Sequence, residues 1–262
     1  IAPVHNQSGE ISHFVVIIQD ISERKRTEGL LRENYEALQR DMDLAGKVQE
    51  SLLPETLPDI HGFTLAARAV PARFVSGDLY DCFMTGPERC FLTVADISGK
   101  GVPSAMLASS TKILGRTDAA ASDKPGRVLE RINRKMFPQL SRAEIFITAC
   151  AAYLHTKSAS LCYASAGHSQ GLVIHSLDNR FEQIDATGIP LGILEDASYT
   201  EKTLFLAPGD MFILYSDGIT EAQNPRQEFF GLERFLYLLE KAGRECRSTR
   251  SVQELPDGHE SM

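Results

Sequence analysis

The stretch from Phe91 to Ala105, FLTVADISGKGVPSA, joins an apolar run to a segment of small residues through a turn that contains Asp96. The run FLTVA has the β-branched and aromatic composition of a buried strand. Pro103 then starts a stretch rich in Ala, Met and Leu, which predicts a helix from Pro103 to Leu114. The sequence therefore puts a carboxylate at the end of a buried strand, directly before a helix.

Two further motifs place an aspartate at a turn beside an apolar run. They are SGDLYD at 76–81, which contains Asp78, and YSDGITE at 215–221, in which Asp217 follows MFILY. For any one motif an ordinary turn remains the stronger alternative, because Asp-Gly and Gly-Asp are common turn formers. Buried carboxylates must be paired, hydrogen-bonded or metal-bound, and three together with few cations nearby favour a metal. All-oxygen ligation indicates Mg²⁺, Mn²⁺ or Ca²⁺ rather than zinc.

The region after Phe63 predicts short strands separated by glycine turns. Most of these strands follow one another without an intervening helix, which favours an α+β fold with antiparallel sheets and helices grouped outside them. A second helix is predicted from Pro125 to Phe137. The predicted strands are Thr64 to Ala69, Leu79 to Met84, Cys90 to Ile97, Ile145 to Leu154, Ser160 to Ala164, Leu172 to His175 and Met211 to Ser216.

The N-terminal part predicts a strand and then a long helix. Ile11 to Ile18 is a β-rich run after a Ser-Gly turn, and the polar stretch from Ser22 to Leu52 contains no proline. Apolar residues in this helix alternate in steps of three and four, with Gln49 at a polar seam position, which indicates a two-stranded coiled coil. A helix packed on its own domain is the alternative. The seam residues are Leu31, Tyr35, Leu38, Met42, Ala45 and Leu52.

Composition limits the kinds of partner. Hydrophobic residues make up 43% of the 262 positions, which is enough for a globular core, and no apolar run is long enough to span a bilayer. The net charge of -8, with no basic stripe, argues against nucleic-acid binding. The five cysteines contain no C-x-x-C pair, so we expect reduced core thiols. We expect a cytoplasmic protein with no membrane segment in this chain.

The ordered motifs resemble one known family. In sequence they are SLLP, SGDLYD, ADISGKGVPSA, AGH, GIPLG and SDGITEA, and together they span roughly Asp43 to Glu240. This order resembles the sporulation stage II protein E type branch of the metal-dependent protein phosphatases (PPM). The resemblance implies an αββα sandwich that removes phosphate from serine or threonine of STAS-type anti-anti-sigma factors, using two Mn²⁺ or Mg²⁺ ions. The ions would activate a water between them, so no side-chain nucleophile is required.

The resemblance also implies roles for individual residues. Asp78 is expected to be a metal ligand, Asp96 the carboxylate that bridges both ions, and Asp217 a ligand of the second ion. The backbone carbonyl of Ile97 would be a further ligand. Asp81 is a weaker candidate, because on an extended strand its side chain leaves on the opposite face from that of Asp78.

The resemblance and the composition together lead to a four-part organisation, and the tail is set apart because Val252 and Leu255 are its only large aliphatic residues. We predict the end of a PAS-like sensor domain at residues 1–21, a linker helix at 22–53 that forms a homodimer, a phosphatase domain at 54–240 and a disordered tail at 241–262. The family pattern ends with a strand preceded by an Asp-Asp pair, and nothing similar follows Glu240. We therefore expect reduced activity from the chain as given. A pseudophosphatase that binds its regulator without hydrolysis is the alternative, whereas a histidine kinase is excluded because no ATP-binding glycine boxes follow the helix.

Overall fold

The computed structural model describes residues 2–5, 7–15, 19–72 and 74–253, which fall into two compact units, residues 1–44 and 45–262. The first unit contains an antiparallel hairpin of β1 (Ala2–His5) and β2 (Ile11–Val15). Gly9 lies in the intervening turn at φ +82°, a conformation that favours glycine. The strand predicted from Ile11 to Ile18 is confirmed as far as Val15, and residues 16–18 lie outside the described residues. The PAS-like assignment of residues 1–21 stays a prediction.

The long helix α1 has the predicted bounds, Ser22–Leu52. It begins where the Asp20 carboxylate accepts a hydrogen bond of 2.9 Å from the backbone N–H of Ser22, and it ends two residues before Pro54. None of its residues is buried, and Leu31, Tyr35 and Leu38 are all more than half exposed. These first three positions of the predicted seam are therefore exposed, and the coiled coil itself stays a prediction.

The second unit contains two sheets in which every pair of adjacent strands is antiparallel. One sheet has the order β3-β4-β5-β6-β9 and the other the order β10-β7-β8. The strands are β3 (Leu79–Gly86), β4 (Arg89–Ile97), β5 (Ile147–His155), β6 (Ser160–Ala166), β7 (Gly171–Ile174), β8 (Phe181–Gln183), β9 (Lys202–Phe205) and β10 (Met211–Leu214).

The central strand β5 shows how the layers stack. Its residues Ala149, Ala151 and Tyr153 pack in one core cluster with the helices α2 (Val102–Ala120) and α3 (Pro125–Ala143). The alternate residues of β5 pack in a second cluster with residues of the smaller sheet. Period-two alternation thus buries both faces of the strand. The α+β fold with antiparallel sheets and outer helices is confirmed.

Some elements differ from the prediction. Thr64 to Ala69 is irregular, because alanine disfavours strands and Thr64 is the only β-branched residue of the segment. β8 and β9 were not predicted, and α2 and α3 extend beyond their predicted ends. After the short helix α4 (Asp217–Thr220), α5 (Leu232–Gln253) runs into the segment predicted to be disordered.

The disorder predicted for residues 241–253 differs from the helix that α5 forms there. Its basis was the shortage of aliphatic side chains, but helical hydrogen bonds are local and no proline occurs before Pro256. Residues 254–262 lie outside the described residues. Within the described ranges, no helix combines the length and apolar character that a membrane span requires.

Candidate metal centre

β3 and β4 bring two of the predicted ligands to the same end of the larger sheet. Leu79 pairs with Ala95, so Asp78, just before Leu79, and Asp96, just after Ala95, occupy facing positions. Gly77 makes this approach possible, because a Cβ at that position would lie only 3.0 Å from the carbonyl oxygen of Ile97. The predicted ligands Asp78, Asp96 and the Ile97 carbonyl therefore lie in one neighbourhood.

Asp217 reaches the same place from the smaller sheet. It starts α4, three residues after the end of β10, and it follows Ser216. The Ser216 hydroxyl donates a hydrogen bond of 2.7 Å to Oδ2 of Asp78. This contact joins residues 138 positions apart in the chain and ties the end of one sheet to the end of the other.

The carboxylates form a concentrated negative charge. Burial, followed by the negative charge of Asp78 and a hydrogen bond to it, raises the pKa of Asp96 to about 7. The charges of Asp217 and Glu221 act in the same direction. The main charged neighbours of Asp96 are thus other carboxylates, an arrangement that a bound cation would stabilise.

Glu221 was not predicted as a site residue. It lies one helical turn after Asp217, and its backbone N–H donates a hydrogen bond of 2.8 Å to the Asp217 carbonyl. Residues four apart in a helical turn share a face, so the spacing in SDGITE was the available signal.

The donor set fits a divalent cation in its chemistry. Carboxylate oxygens and a backbone carbonyl are the ligands that Mg²⁺ and Mn²⁺ prefer, and the Asp96 neighbourhood supplies both. In the described part of the chain, however, no three or more His, Cys, Asp or Glu side chains form a group that could hold a metal ion in their present conformations. Side-chain rotation is needed to complete one, for example at Asp78, whose Oδ2 faces the Ser216 hydroxyl.

Asp81, the weaker candidate, lies away from this group. Its side chain is 1% exposed and accepts two hydrogen bonds from Arg116, of 2.5 and 2.9 Å. The ammonium group of Lys112 lies 3.8 Å from its Oδ1. The carboxylate is therefore engaged by two cations of α2, on the face of β3 that packs against the helices.

Gln49 has a partner that helical periodicity did not indicate. Its side-chain amide donates to the Ser76 carbonyl at 2.7 Å and accepts from the Ser76 N–H at 2.9 Å. A side chain at Gly46 would collide with the carbonyl oxygen of Phe74, so the helix lies close to this loop. The end of α1 thus holds the backbone of the loop that carries Asp78, and the amide of Gln49 is not free for a coiled-coil seam.

Comparison with known proteins identifies the family. The model of the family "Stage II sporulation protein E (SpoIIE)" matches residues 86–258, so the chain belongs to this family. Over 193 residues it is 34% identical to phosphoserine phosphatase RsbU of Bacillus subtilis strain 168. That alignment covers 74% of this chain and 57% of RsbU, so the chain spans little more than half the length of this relative.

Solved structures show the same fold. The SiaA-PP2C domain of Pseudomonas aeruginosa superposes with a TM-score of 0.65 at 21% identity, covering 86% of this chain and 93% of that one. The RsbU and RsbW domains of Rv1364c from Mycobacterium tuberculosis give a TM-score of 0.55 at 24% identity, covering 67% and 48%. The second unit therefore has the fold of PP2C-type phosphatase domains.

Proposed function

We propose that the second unit is a metal-dependent phosphatase that removes phosphate from phosphoserine or phosphothreonine of a STAS-type anti-anti-sigma regulator. The observation that carries this proposal is the convergence of Asp78, Asp96 and Asp217 from three separate segments at adjoining ends of two sheets. Membership of the family and the likeness to a phosphoserine phosphatase support the same reaction class.

The residues of the centre would have different roles in the reaction. Asp78, Asp96, Asp217 and the Ile97 carbonyl would hold Mn²⁺ or Mg²⁺, with Asp96 between two ions. The bound ions would supply an activated water and would stabilise negative charge on the phosphoryl oxygens. Ser216 orients Asp78 through its hydroxyl, so it is engaged as a hydrogen-bond donor rather than as a nucleophile. The sequence has no Cys-x5-Arg signature for a cysteine-based phosphatase.

We expect hydrolysis of a phosphorylated STAS domain to require Mn²⁺ or Mg²⁺ at about millimolar concentration, because a few carboxylates with retained waters bind these ions weakly. The measurement is phosphate release by the full chain during a Mn²⁺ titration, before and after exhaustive chelation. Activity that survives chelation would rule out the metal-dependent reaction. Tight binding of the phosphorylated STAS domain without turnover at saturating Mn²⁺ would instead establish the pseudophosphatase alternative.

We also propose that α1 pairs with a second copy of the chain. The exposed side chains of Leu31, Tyr35 and Leu38 recur at steps of four and three, which gives one apolar stripe along the helix. We expect the full chain to sediment as a dimer, and replacement of Leu31 and Leu38 by Glu to give a monomer that keeps its helix content. A monomeric wild-type chain at high protein concentration would refute the pairing.

A further inference from the structure

His168 is buried beside the metal centre and both of its ring nitrogens have partners. Its side chain lies between Thr148 on β5 and Tyr215 after β10, and only 1% of the residue is exposed. The ring Nε2 lies 3.0 Å from the Tyr215 carbonyl oxygen, and Nδ1 lies 3.1 Å from the Thr148 hydroxyl. The ring therefore bridges the two sheets at the end where the carboxylates converge.

These two contacts define the tautomer of the ring. A carbonyl oxygen only accepts hydrogen bonds, so Nε2 carries the proton that is donated to Tyr215. In the neutral ring Nδ1 then accepts the Thr148 hydroxyl proton. Burial lowers the pKa of His168, which agrees with a neutral ring.

The partners of the ring place it next to the predicted ligands. Thr148 pairs with Asp96 across β4 and β5. Tyr215 directly precedes Ser216, whose hydroxyl binds Asp78, and Asp217 follows. One imidazole thus connects the strand position opposite Asp96 to the turn that carries Asp217.

Hydrogen bonds and close packing also fix the backbone of His168, which limits movement of the ring. The Ser165 hydroxyl donates to the His168 carbonyl at 2.6 Å and accepts from its N–H at 3.1 Å. Gly167 has φ +67°, and a Cβ there would lie 2.6 Å from the Pro190 ring. Burial of the polar imidazole has a desolvation cost that an apolar side chain would not have. The hydrogen bonds of the ring offset this cost, and an apolar replacement would lose them.

We propose that His168 is a positioning residue of the metal centre, which acts through the Tyr215 carbonyl to hold the Ser216-Asp217 turn against Asp78 and Asp96. The inference rests on the proposed metal-dependent function. It differs from a purely structural role because it requires metal affinity, and not only stability, to depend on the Nε2–H donor. Replacement of a residue that orients a metal ligand without binding the metal itself typically changes metal affinity by about 10- to 100-fold.

The test compares direct Mn²⁺ binding by calorimetry for the full chain and three variants. His168→Phe keeps an aromatic ring but removes the donor, and we expect its Mn²⁺ dissociation constant to rise at least about 10-fold. His168→Gln can place an N–H near the position of Nε2, and we expect it to recover most of that loss. Thr93→Val is the matched control, because it removes a half-buried hydroxyl that donates to the Cys150 carbonyl at 2.8 Å on the same two strands, β4 and β5.

Unfolding temperatures without metal separate positioning from stability. If His168→Phe and Thr93→Val are both less stable but bind Mn²⁺ like the wild type, the positioning role is overturned. If His168→Phe does not fold, Thr148→Val removes the hydroxyl that orients the ring through Nδ1, and unchanged Mn²⁺ affinity in Thr148→Val then overturns the positioning role. A wild-type chain that binds Mn²⁺ in this His168-dependent way but releases no phosphate leaves the positioning role standing and refutes the proposed function. Absence of Mn²⁺ binding by the wild type overturns both.

Discussion

Asp96→Asn should lower the rate of phosphate release by on the order of 10³-fold or more while leaving the fold intact. The carboxylate lies where the ends of both sheets meet, and the charges of Asp78, Asp217 and Glu221 all act on it. An amide of the same size retains the shape of the side chain but removes the charge expected to bridge two ions. The measurement is the initial rate at saturating Mn²⁺, together with the unfolding temperature without metal.

The same substitution should not destabilise the metal-free protein. It removes the repulsion between Asp96 and the carboxylates of Asp78, Asp217 and Glu221. Asp185→Asn is the matched control, because that carboxylate is exposed and pairs with Lys202 at 2.6 Å on the surface. We expect Asp185→Asn to keep the wild-type rate. A wild-type rate in Asp96→Asn would show that the bridging role belongs to another residue.

The parts of the fold that could be predicted from sequence are those encoded locally. Strand β4, which carries Asp96 next to its end, and the helix after it were both predicted, because an apolar run followed by glycines and a proline specifies them over a short distance. Helix α1 was also predicted with its bounds, because a proline-free stretch with apolar residues at steps of three and four is a local signal. Thr64 to Ala69 was predicted as a strand but is irregular, because three of its six residues are alanine and only Thr64 is β-branched.

In the candidate site, too, the locally encoded features could be predicted and the long-range contacts could not. Motifs identified Asp78, Asp96 and Asp217, and the structure brings them together. The partners of Gln49 and His168 could not be predicted, because Ser76 lies 27 residues from Gln49 and Tyr215 lies 47 residues from His168. Helical periodicity and local motifs carry no information about contacts at such separations.

The second large effect concerns Asp81, for which we expect a loss of stability rather than a loss of metal binding. Asp81→Asn should lower the free energy of unfolding by about 3–5 kcal/mol, because it leaves Lys112 buried without its counter-ion. Lys112 is 6% exposed, and its ammonium group also donates to the Leu52 carbonyl, so it has little freedom to reach water. For a chain of this size the unfolding temperature should fall by roughly 10 °C.

The pH dependence of this loss follows from Lys112. Burial lowers the pKa of Lys112, and Asp81 opposes that shift, so removing Asp81 should lower the pKa further. Between this lowered pKa and the ordinary value the folded state binds fewer protons than the unfolded state, and stability therefore rises with pH. We expect the deficit of Asp81→Asn to be largest near neutral pH and to shrink in alkaline solution. A deficit that does not change with pH would contradict the role assigned to Lys112.

Further variants test whether Asp81 acts as an ion-pair partner or as a metal ligand. Lys112→Met combined with Asp81→Asn should recover most of the lost stability, because no uncompensated cation remains in the core. Arg116→Met should lower the free energy of unfolding less than Asp81→Asn does, since 48% of the Arg116 side chain is exposed to solvent that screens the pair.

Mn²⁺ affinity measured by calorimetry should stay at the wild-type level in Asp81→Asn, because the carboxylate faces α2 rather than Asp78. Weakened Mn²⁺ binding in a variant of unchanged stability would instead make Asp81 a ligand and would require its side chain to leave Arg116.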